Sequence, residues 1–296
     1  INGYLVPSPN IEVLKSARPI SKIGEMTKGN QPTDGGNLLL TAAEADELNL
    51  PVSAKIEYVR PILGSAEYIR GLSRYCIWIE ETDCDEVKQY PEITDRLERV
   101  REMRRSSTKP ATVALANRPH RFGEIRQNGH ETVIIVPSVS SEARDYLPVG
   151  YLRPGTIVTN LAFVLFNAPL WNMALIASRL HLVWIATVCG KMKTDFRYSN
   201  TLGWNTFPVP KLTEKNKEDL TRCAEDILLA REAHWPATIA DLYDPEKMPA
   251  DLRAAHERND EVLERIYIGR RFKNDTERLE KLFELYTKMT SRKEVA

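Results

Sequence analysis

The segment from Lys191 to Ser199 carries charged side chains at alternate positions. If it is extended, Lys193, Asp195 and Arg197 point to one face, because successive residues of a strand alternate sides. Lysine and arginine can donate hydrogen bonds to guanine O6 and N7 in a DNA major groove, and aspartate can accept one from cytosine N4. The spacing therefore predicts a reader of base pairs. The alternative is a solvated strand face with alternating charges.

The composition is that of a folded protein with balanced charge. The chain has 296 residues, of which 42% are apolar and 28% charged, and its formal net charge is +0. That length suffices for one large domain or two ordinary ones. The longest apolar stretch, residues 161–180, is interrupted by two asparagines, a proline and Arg179, so we expect no membrane span. Because the chain begins with Ile1 and shows no signal sequence, we interpret it as a piece of a longer cytoplasmic protein.

Motifs for metal binding and catalysis are missing from the sequence. The 4 cysteines form no Cys-x-x-Cys pair, and the 5 histidines lack the i, i+4 spacing of a helical metal site. There is no phosphate-binding glycine loop and no Gly-x-Ser-x-Gly elbow, and Asp34–Asn37 is predicted to form a tight turn. We therefore expect no metal, no cofactor and no catalytic residue within this chain.

Basic residues outnumber acidic ones between Ile93 and Arg126. A local excess of this kind can neutralise DNA phosphates even when the whole chain is neutral. The predicted phosphate contacts are Arg101, Arg104, Arg105, Arg121 and Lys191. For the helical part of this set, the alternative is a solvated face whose arginines pair with Glu98 and Glu102.

Asn167 and Ala168 form a second candidate for base recognition. An asparagine amide can contact adenine, and an alanine methyl group can contact the methyl group of thymine. The alternative is that Asn167 caps a helix ahead of Pro169. Trp204 and Phe207 are expected in the core rather than against bases.

Strands and helices alternate up to about Lys211, and only helices follow. The predicted strands span residues 75–79, 133–137 and 156–159. The predicted helices span residues 41–48, 93–106 and 170–188, then a stretch from Thr213, a stretch from Pro249 to Gly269, and 275–289. We therefore predict an α+β fold, with a mixed β-sheet domain and packed helices over 1–211 and a small all-α domain over 212–296.

Several spaced motifs resemble the C-terminal third of MmeI-like type II restriction-modification proteins, and the resemblance covers essentially the whole chain. The motifs are Gly29–Gly36, Leu63–Ile69, Pro119–Phe122, Val139–Glu142, Phe196–Ser199, Ala240–Pro245 and Ala255–Asp260. In that family one polypeptide carries an endonuclease, an adenine-N6 methyltransferase that uses S-adenosylmethionine, a target recognition domain and a helical tail. This chain resembles the last two parts.

The resemblance implies roles for individual residues. The family pair that corresponds to Lys193 and Asp195 determines specificity, and a Lys/Asp combination goes with guanine. Arg197 matches a further determinant, and Asn167 with Ala168 resembles another pair. The implied partners are double-stranded DNA and an upstream methyltransferase domain of the same polypeptide, and the implied cofactor of that parent enzyme is S-adenosylmethionine. The fragment by itself is expected to be inactive.

Two other functions remain open from the sequence. One is a specificity subunit like that of a type I system, which recognises DNA and docks separate catalytic subunits. Such subunits usually repeat their recognition domain and helical spacer, and no repeat is found here. The other is a helical scaffold without a nucleic-acid role, which the motif set disfavours.

Overall fold

The computed structural model describes Tyr4 and residues 11–291. Its strands are β1 (Thr27–Lys28), β2 (Leu39–Thr41), β3 (Val59–Leu63), β4 (Arg74–Ile77), β5 (Val133–Pro137), β6 (Val139–Ser140), β7 (Gly150–Leu152), β8 (Ile157–Val158), β9 (Ala162–Phe166), β10 (Lys191–Met192) and β11 (Asp195–Arg197). Its α-helices are α1 (Ala42–Glu47), α2 (Val52–Tyr58), α3 (Ser65–Arg70), α4 (Pro91–Arg105), α5 (Pro110–Ala114), α6 (Trp171–Ile176), α7 (Arg179–Val188), α8 (Glu214–Glu232), α9 (Ile239–Leu242), α10 (Ala250–Ile268) and α11 (Asp275–Ser291). The predicted α+β class is confirmed.

The chain folds into two compact units that interrupt each other in sequence. The minor unit consists of Lys28–Glu131 and Leu152–Ala162. The major unit consists of Ile1–Thr27, Thr132–Tyr151 and Phe163–Ala296. The helices beyond residue 211 therefore share a unit with earlier segments, and the division of the chain at residue 211 into a recognition and a helical domain stays a prediction.

The minor unit is built on a mixed sheet of strand order β2-β4-β3-β8. Strand β4 pairs antiparallel with both β2 and β3, while β3 pairs parallel with β8. Helix α4 contributes one buried stripe, because Ile93 and Val100 are fully buried and Leu97 packs against the same core. This i, i+4, i+7 spacing is that of a helix with one face on a core. Arg104 continues the same stripe four residues beyond Val100.

The major unit combines two small sheets with the long helices. One sheet has the strand order β1-β9-β5-β7 and the other β10-β11-β6. Helix α8 packs against α6 and α10, and α11 packs against α7. Trp184, Trp204 and Phe207 are fully buried in this core, which confirms the expectation for the last two residues.

The predicted helix over residues 170–188 is wrong as a single element. The structure divides it into α6 and α7 at Ala177 and Ser178. Ser178 has extended backbone geometry, and its hydroxyl accepts a hydrogen bond from the His181 N–H at 3.2 Å. A serine in this position caps a new helix. The apolar residues on both sides hide this boundary in the sequence.

A carboxylate is buried where α10 meets the rest of the major unit. Asp260 accepts hydrogen bonds from the Arg179 backbone N–H at 2.7 Å and from the Tyr146 hydroxyl at 3.0 Å. Loss of solvation on burial raises the pKa of Asp260 to about 7, against the opposing effect of those two hydrogen bonds. Asp260 therefore binds a proton more tightly in the folded than in the unfolded chain.

Replacing Asp260 by asparagine should stabilise the protein at pH 8 and have little effect near pH 4. The folded-state pKa exceeds the ordinary value of about 3.9, so the contribution of Asp260 to stability is present below about pH 4 and is lost as the pH rises to about 7. An amide avoids the buried charge, and the gain at pH 8 is up to about 4 kcal/mol. Urea unfolding of both proteins from pH 4 to pH 8 measures this. A difference that stays constant with pH would contradict it.

Candidate nucleic-acid interface

The alternating charged segment forms a short hairpin in the major unit, which we call the recognition hairpin (residues 191–197). Strand β10 pairs antiparallel with β11, with Lys191 opposite Phe196 and Met192 opposite Asp195. Lys193 and Thr194 form the turn, and Lys193 has a positive φ of 58°. A left-handed residue in a two-residue turn matches the twist of antiparallel strands.

The expectation that residues 193, 195 and 197 alternate along one strand is wrong at Lys193. This residue lies in the turn, so only Asp195 and Arg197 share a face of β11. Lys193 and Arg197 are exposed, whereas Asp195 is half-buried. The hairpin nevertheless brings all three residues together, with the lysine at the tip.

Strand β6 supports the hairpin from the other side of β11. Phe196 is opposite Ser140 and Arg197 is opposite Val139 in an antiparallel pairing. The Tyr198 N–H then donates to the Ser138 carbonyl at 2.9 Å. Strand β10 is therefore at the edge of a three-stranded sheet, and the turn with Lys193 lies beyond its paired residues.

Lys191 is already engaged within the protein. Its Nζ lies 2.9 Å from Glu142 Oε2 and 5.8 Å from the centroid of the Phe196 ring. Both charged side chains are partly exposed, and surface ion pairs of this kind contribute only about 0–1 kcal/mol. A phosphate could replace Glu142 at little cost, so a phosphate contact for Lys191 stays a prediction.

Arg144 is a residue whose relation to the hairpin the sequence did not reveal. It is half-buried, and its Nη1 lies 3.4 Å from the Ser140 hydroxyl. Burial lowers the pKa of its guanidinium, and the charges of Asp195 and Asp244 oppose that shift. A cation thus lies near the Asp195 carboxylate. Only the pairing of β6 with β11 brings these distant positions together, and no sequence spacing encodes it.

Asn167 lies in the major unit, on the connection from β9 to α6. It has a positive φ of 48°, and its side-chain Oδ1 accepts a hydrogen bond from the Thr132 N–H at 3.1 Å. Helix α6 begins only at Trp171, so Asn167 is not the helix cap that was the alternative. Ala168 is half-buried and packs against the core. Base recognition by Asn167 and Ala168 stays a prediction, with the Nδ2 amide group of Asn167 as the polar group outside that bond.

The arginines of α4 lie in the minor unit, and most of them have partners there. Arg96 contacts Glu44 at 2.9 Å, and Arg99 donates to Asn37 Oδ1 at 3.1 Å. Arg101 pairs with Glu98, one of the two glutamates of the solvated-face alternative. Arg105 is exposed at the end of the helix, and no ion pair of its side chain is found within residues 11–291.

The predicted phosphate contact of Arg104 is wrong, because its side chain is fully buried. All its donors bind backbone carbonyls: Nε binds Thr33 at 2.9 Å, Nη1 binds Leu115 at 3.1 Å and Arg118 at 2.7 Å, and Nη2 binds Pro32 at 3.3 Å and Arg121 at 2.6 Å. An arginine has five N–H donors, so none is left for DNA. Burial lowers the pKa of the guanidinium, and the Asp34 charge opposes that shift.

Arg121 belongs to a small charged cluster around Glu81. Its Nη1 lies 3.6 Å from Glu81 Oε2, and Arg118 and His120 also contact this carboxylate. The hydrogen bond with His120 makes the largest contribution to the lowered pKa of Glu81. Cations outnumber the carboxylate in this cluster, so a phosphate contact for Arg121 stays a prediction.

The described part of the chain comprises Tyr4 and residues 11–291. No helix in this range is long and apolar enough to cross a membrane. The same residues contain no group of three or more histidine, cysteine, aspartate or glutamate side chains arranged to hold a metal ion.

Comparisons with known proteins agree over nearly the whole chain. Residues 7–211 match the family described as "MmeI, target recognition domain", and residues 212–293 match "MmeI, C-terminal domain". A relative from Bacillus subtilis (strain 168), "DNA methyltransferase A", is 39% identical over 295 residues, which are 99% of this chain and 33% of the relative. A solved structure of the type IIL restriction-modification enzyme MmeI in complex with DNA superposes with a TM-score of 0.90 at 33% identity, over 98% of this chain and 39% of that one.

Proposed function

Because the chain belongs to the MmeI family, matching both its target recognition domain and its C-terminal domain, we propose that it recognises the target sequence of a DNA adenine methyltransferase. The chain spans about a third of the curated relative that it matches. Residues 1–211 would read DNA, and residues 212–296 would brace this domain against DNA and the rest of the enzyme.

Methyl transfer belongs to another part of the parent enzyme in this proposal. Residues 1–296 contain neither the Asn-Pro-Pro-Tyr/Phe motif of adenine methyltransferases nor a glycine-rich nucleotide loop, so they do not fit S-adenosylmethionine. That cofactor and the flipped adenine would bind in the methyltransferase domain. The parent is then a cytoplasmic restriction-modification protein in which this chain selects the site.

The observation that carries the proposal is the recognition hairpin. A two-stranded ribbon fits the major groove of B-form DNA, where every base pair shows a distinct pattern of donors and acceptors. Lys193 at the tip can donate to guanine, and Asp195 on the next strand can accept from the cytosine paired with it. Arg197 lies two residues farther along the same face and would contact an inner base pair.

Phosphate contacts would position the hairpin without adding sequence information. With Arg104 removed from the set, the remaining predicted contacts are Lys191, Arg101, Arg105 and Arg121. They lie in both units, since Lys191 belongs to the major unit and the arginines to the minor unit.

Truncating Arg197 should relax the sequence preference at one base pair of the target. Alanine removes the guanidinium that would contact a base edge, and such a contact discriminates by about 1–3 kcal/mol, or roughly 5- to 150-fold. Binding of the natural full-length protein to a panel of single-base target variants measures this loss.

Arg105→Ala is the matched control for that experiment, because it removes an exposed arginine with a predicted phosphate contact. Binding to all panel sequences should weaken alike, and the slope of log K against log salt should fall by about 1. An Arg197→Ala protein that behaves like Arg105→Ala would assign Arg197 to phosphates and remove it from base recognition.

A specificity subunit with separate catalytic subunits is not favoured. The matched region is 33% of "DNA methyltransferase A" and 39% of the MmeI chain, so both relatives carry it within a longer polypeptide.

A further inference from the structure

The recognition hairpin has an inner side as well as an outer one. Side chains alternate along a strand, so Phe196 and Tyr198 point away from the face that presents Asp195 and Arg197. Tyr198 is 4% exposed, and its hydroxyl lies 2.8 Å from Nε2 of His181, which is fully buried on α7. A single buried hydrogen bond thus joins the residue next to Arg197 to the core helix.

His181 is a rigid partner for this bond. The rings of Phe207 and Trp204 pack edge-on against its imidazole, at centroid distances of 4.6 and 5.6 Å. Its backbone N–H is held by the Ser178 cap at the start of α7. The imidazole has therefore little freedom to move, and a group bonded to it shares that restriction.

The imidazole depends on Tyr198 for its only side-chain hydrogen bond within the described residues. His181 Nδ1 is buried and has no hydrogen-bond partner there. Burial lowers the pKa of His181 to about 3, so the ring is neutral near pH 7. A core of aromatic rings would accommodate phenylalanine at this position, and a polar ring with one unpartnered nitrogen costs stability. The histidine therefore has a use beyond packing.

Direct readout of bases requires the short hairpin to be held in a fixed position. The paired strands of the hairpin are only 2 and 3 residues long, and a ribbon of this size is marginally stable by itself. Direct readout requires side chains to be held within about 0.5 Å of their productive positions. The Arg197 N–H donates to the Gly190 carbonyl at 3.0 Å, which extends the pairing within the hairpin, and the Tyr198 N–H donates to the Ser138 carbonyl at 2.9 Å, which links the hairpin to the segment before β6. The chain joins the start of β10 to the end of α7 through Cys189 and Gly190, and the bond from Tyr198 to His181 adds a side-chain link from the end of β11 to the same helix.

We propose that Tyr198 is a positioning residue for sequence readout, which acts through its hydrogen bond to His181 to hold Asp195 and Arg197 in place. The inference rests on the proposed function of the hairpin. It concerns neither contact of Tyr198 with DNA nor a contribution to phosphate binding.

The test compares Tyr198→Phe with Tyr267→Phe in the natural full-length protein. Both variants lose one buried hydroxyl of the major unit, since the Tyr267 hydroxyl donates to the Pro208 carbonyl at 2.8 Å. Tyr198→Phe should reduce the preference for the correct base pair at the positions read by Asp195 and Arg197 by about tenfold. Binding to unrelated DNA should stay the same. Tyr267→Phe should lose comparable thermal stability and keep the full preference.

A second variant removes the bond from its other end. His181→Phe should reduce the same preference, and the double variant with Tyr198→Phe should be no worse than either one, because both changes break one interaction. The proposal is overturned if Tyr198→Phe keeps its base preference while its melting temperature falls, or if the two effects on preference add.

Comparing Tyr198→Phe with substitutions at Lys193 and Asp195 distinguishes a failure of the positioning role from a failure of the hairpin to read DNA. If substitutions at Lys193 and Asp195 change the preferred base while Tyr198→Phe does not, the hairpin reads DNA without help from Tyr198. If neither set of substitutions changes the preference, the hairpin does not read bases and both proposals fail.

Discussion

Arg104→Ala is expected to destabilise the minor unit by about 3–5 kcal/mol, because a buried acceptor left without its donor costs about 1–3 kcal/mol and several carbonyls are affected. The guanidinium is fully buried and bridges carbonyls of residues 32–33, 115, 118 and 121. Alanine leaves these carbonyls without donors and opens a cavity under the loops. The loops should therefore lose their fixed arrangement.

Hydrogen exchange read by peptide mass spectrometry distinguishes a local effect from a global one. In Arg104→Ala, amides of Lys28–Glu131 should exchange faster, while those of Phe163–Ser291 change little. The control is Arg105→Ala, whose exposed side chain is the next in sequence and whose loss should cost less than about 0.5 kcal/mol. Arg104→Lys should resemble alanine, because an ammonium group has three donors and cannot bridge the same carbonyls.

The opposite result is equally informative. If Arg104→Ala left exchange unchanged but weakened binding to every DNA sequence and lowered the salt dependence, the guanidinium would reach phosphates after all. The buried position described above would then be wrong for the DNA-bound protein.

The second large effect is expected from Lys193→Glu combined with Asp195→Arg in the natural full-length protein. The pair would change from a donor followed by an acceptor to an acceptor followed by a donor. Glutamate accepts from cytosine N4 and arginine donates to guanine, so the preferred pair should change from G·C to C·G at one position. Each contact discriminates by about 1–3 kcal/mol, and the remaining target positions should be unaffected.

Arg144 should limit how well this exchange works. The new arginine at position 195 would lie near the half-buried Arg144 guanidinium, where Asp195 now supplies an opposite charge. Repulsion between the two cations would displace the arginine from the groove. Adding Arg144→Gln removes that charge and should sharpen the new preference relative to the double variant.

Sequencing the sites methylated by each variant measures the exchange. Lys193→Glu alone is the control, since it leaves two acceptors and should lose the old preference without a new one. An unchanged target in both the double and the triple variant would remove Lys193 and Asp195 from base recognition.

The sequence predicted the regular elements better than the roles of the charged residues. Strand β5 was predicted from a continuous run of β-branched residues that are all buried, and helix α4 from the helical spacing of its charged and apolar residues. The helix predicted over residues 41–48 corresponds to α1, which begins with a capping box of Thr41 and Glu44. These features depend only on neighbours in the chain.

Arg104 shows why charge was misread. Ile93, Leu97, Val100 and Arg104 occupy one helical stripe, and this spacing could have placed the arginine inside. The basic composition of the helix suggested phosphates instead. The carbonyls that satisfy the guanidinium come from loops remote in sequence, and only the folded chain brings them together.

Lys193 illustrates a second limit. Its turn contains neither glycine nor asparagine, the residues that usually mark a left-handed position, so an extended strand was the natural prediction. The pairing of β10 with β11 places Lys193 and Thr194 in the turn that joins the two strands. Arg144 was overlooked as a neighbour of Asp195 for the same reason, since strand pairing is not encoded in local spacing.

The tip of the hairpin also bears on how such proteins acquire new targets. Lys193 and Arg197 are exposed, whereas the neighbouring Tyr198 is buried in the core and Phe196 packs against that core. Exchanges among exposed side chains usually change stability by less than about 0.5 kcal/mol. Substitutions of the exposed residues of the hairpin can therefore change the recognised DNA sequence in successive steps while the protein stays folded at each step. The outward residues then determine the recognition site, and the inward residues determine folding.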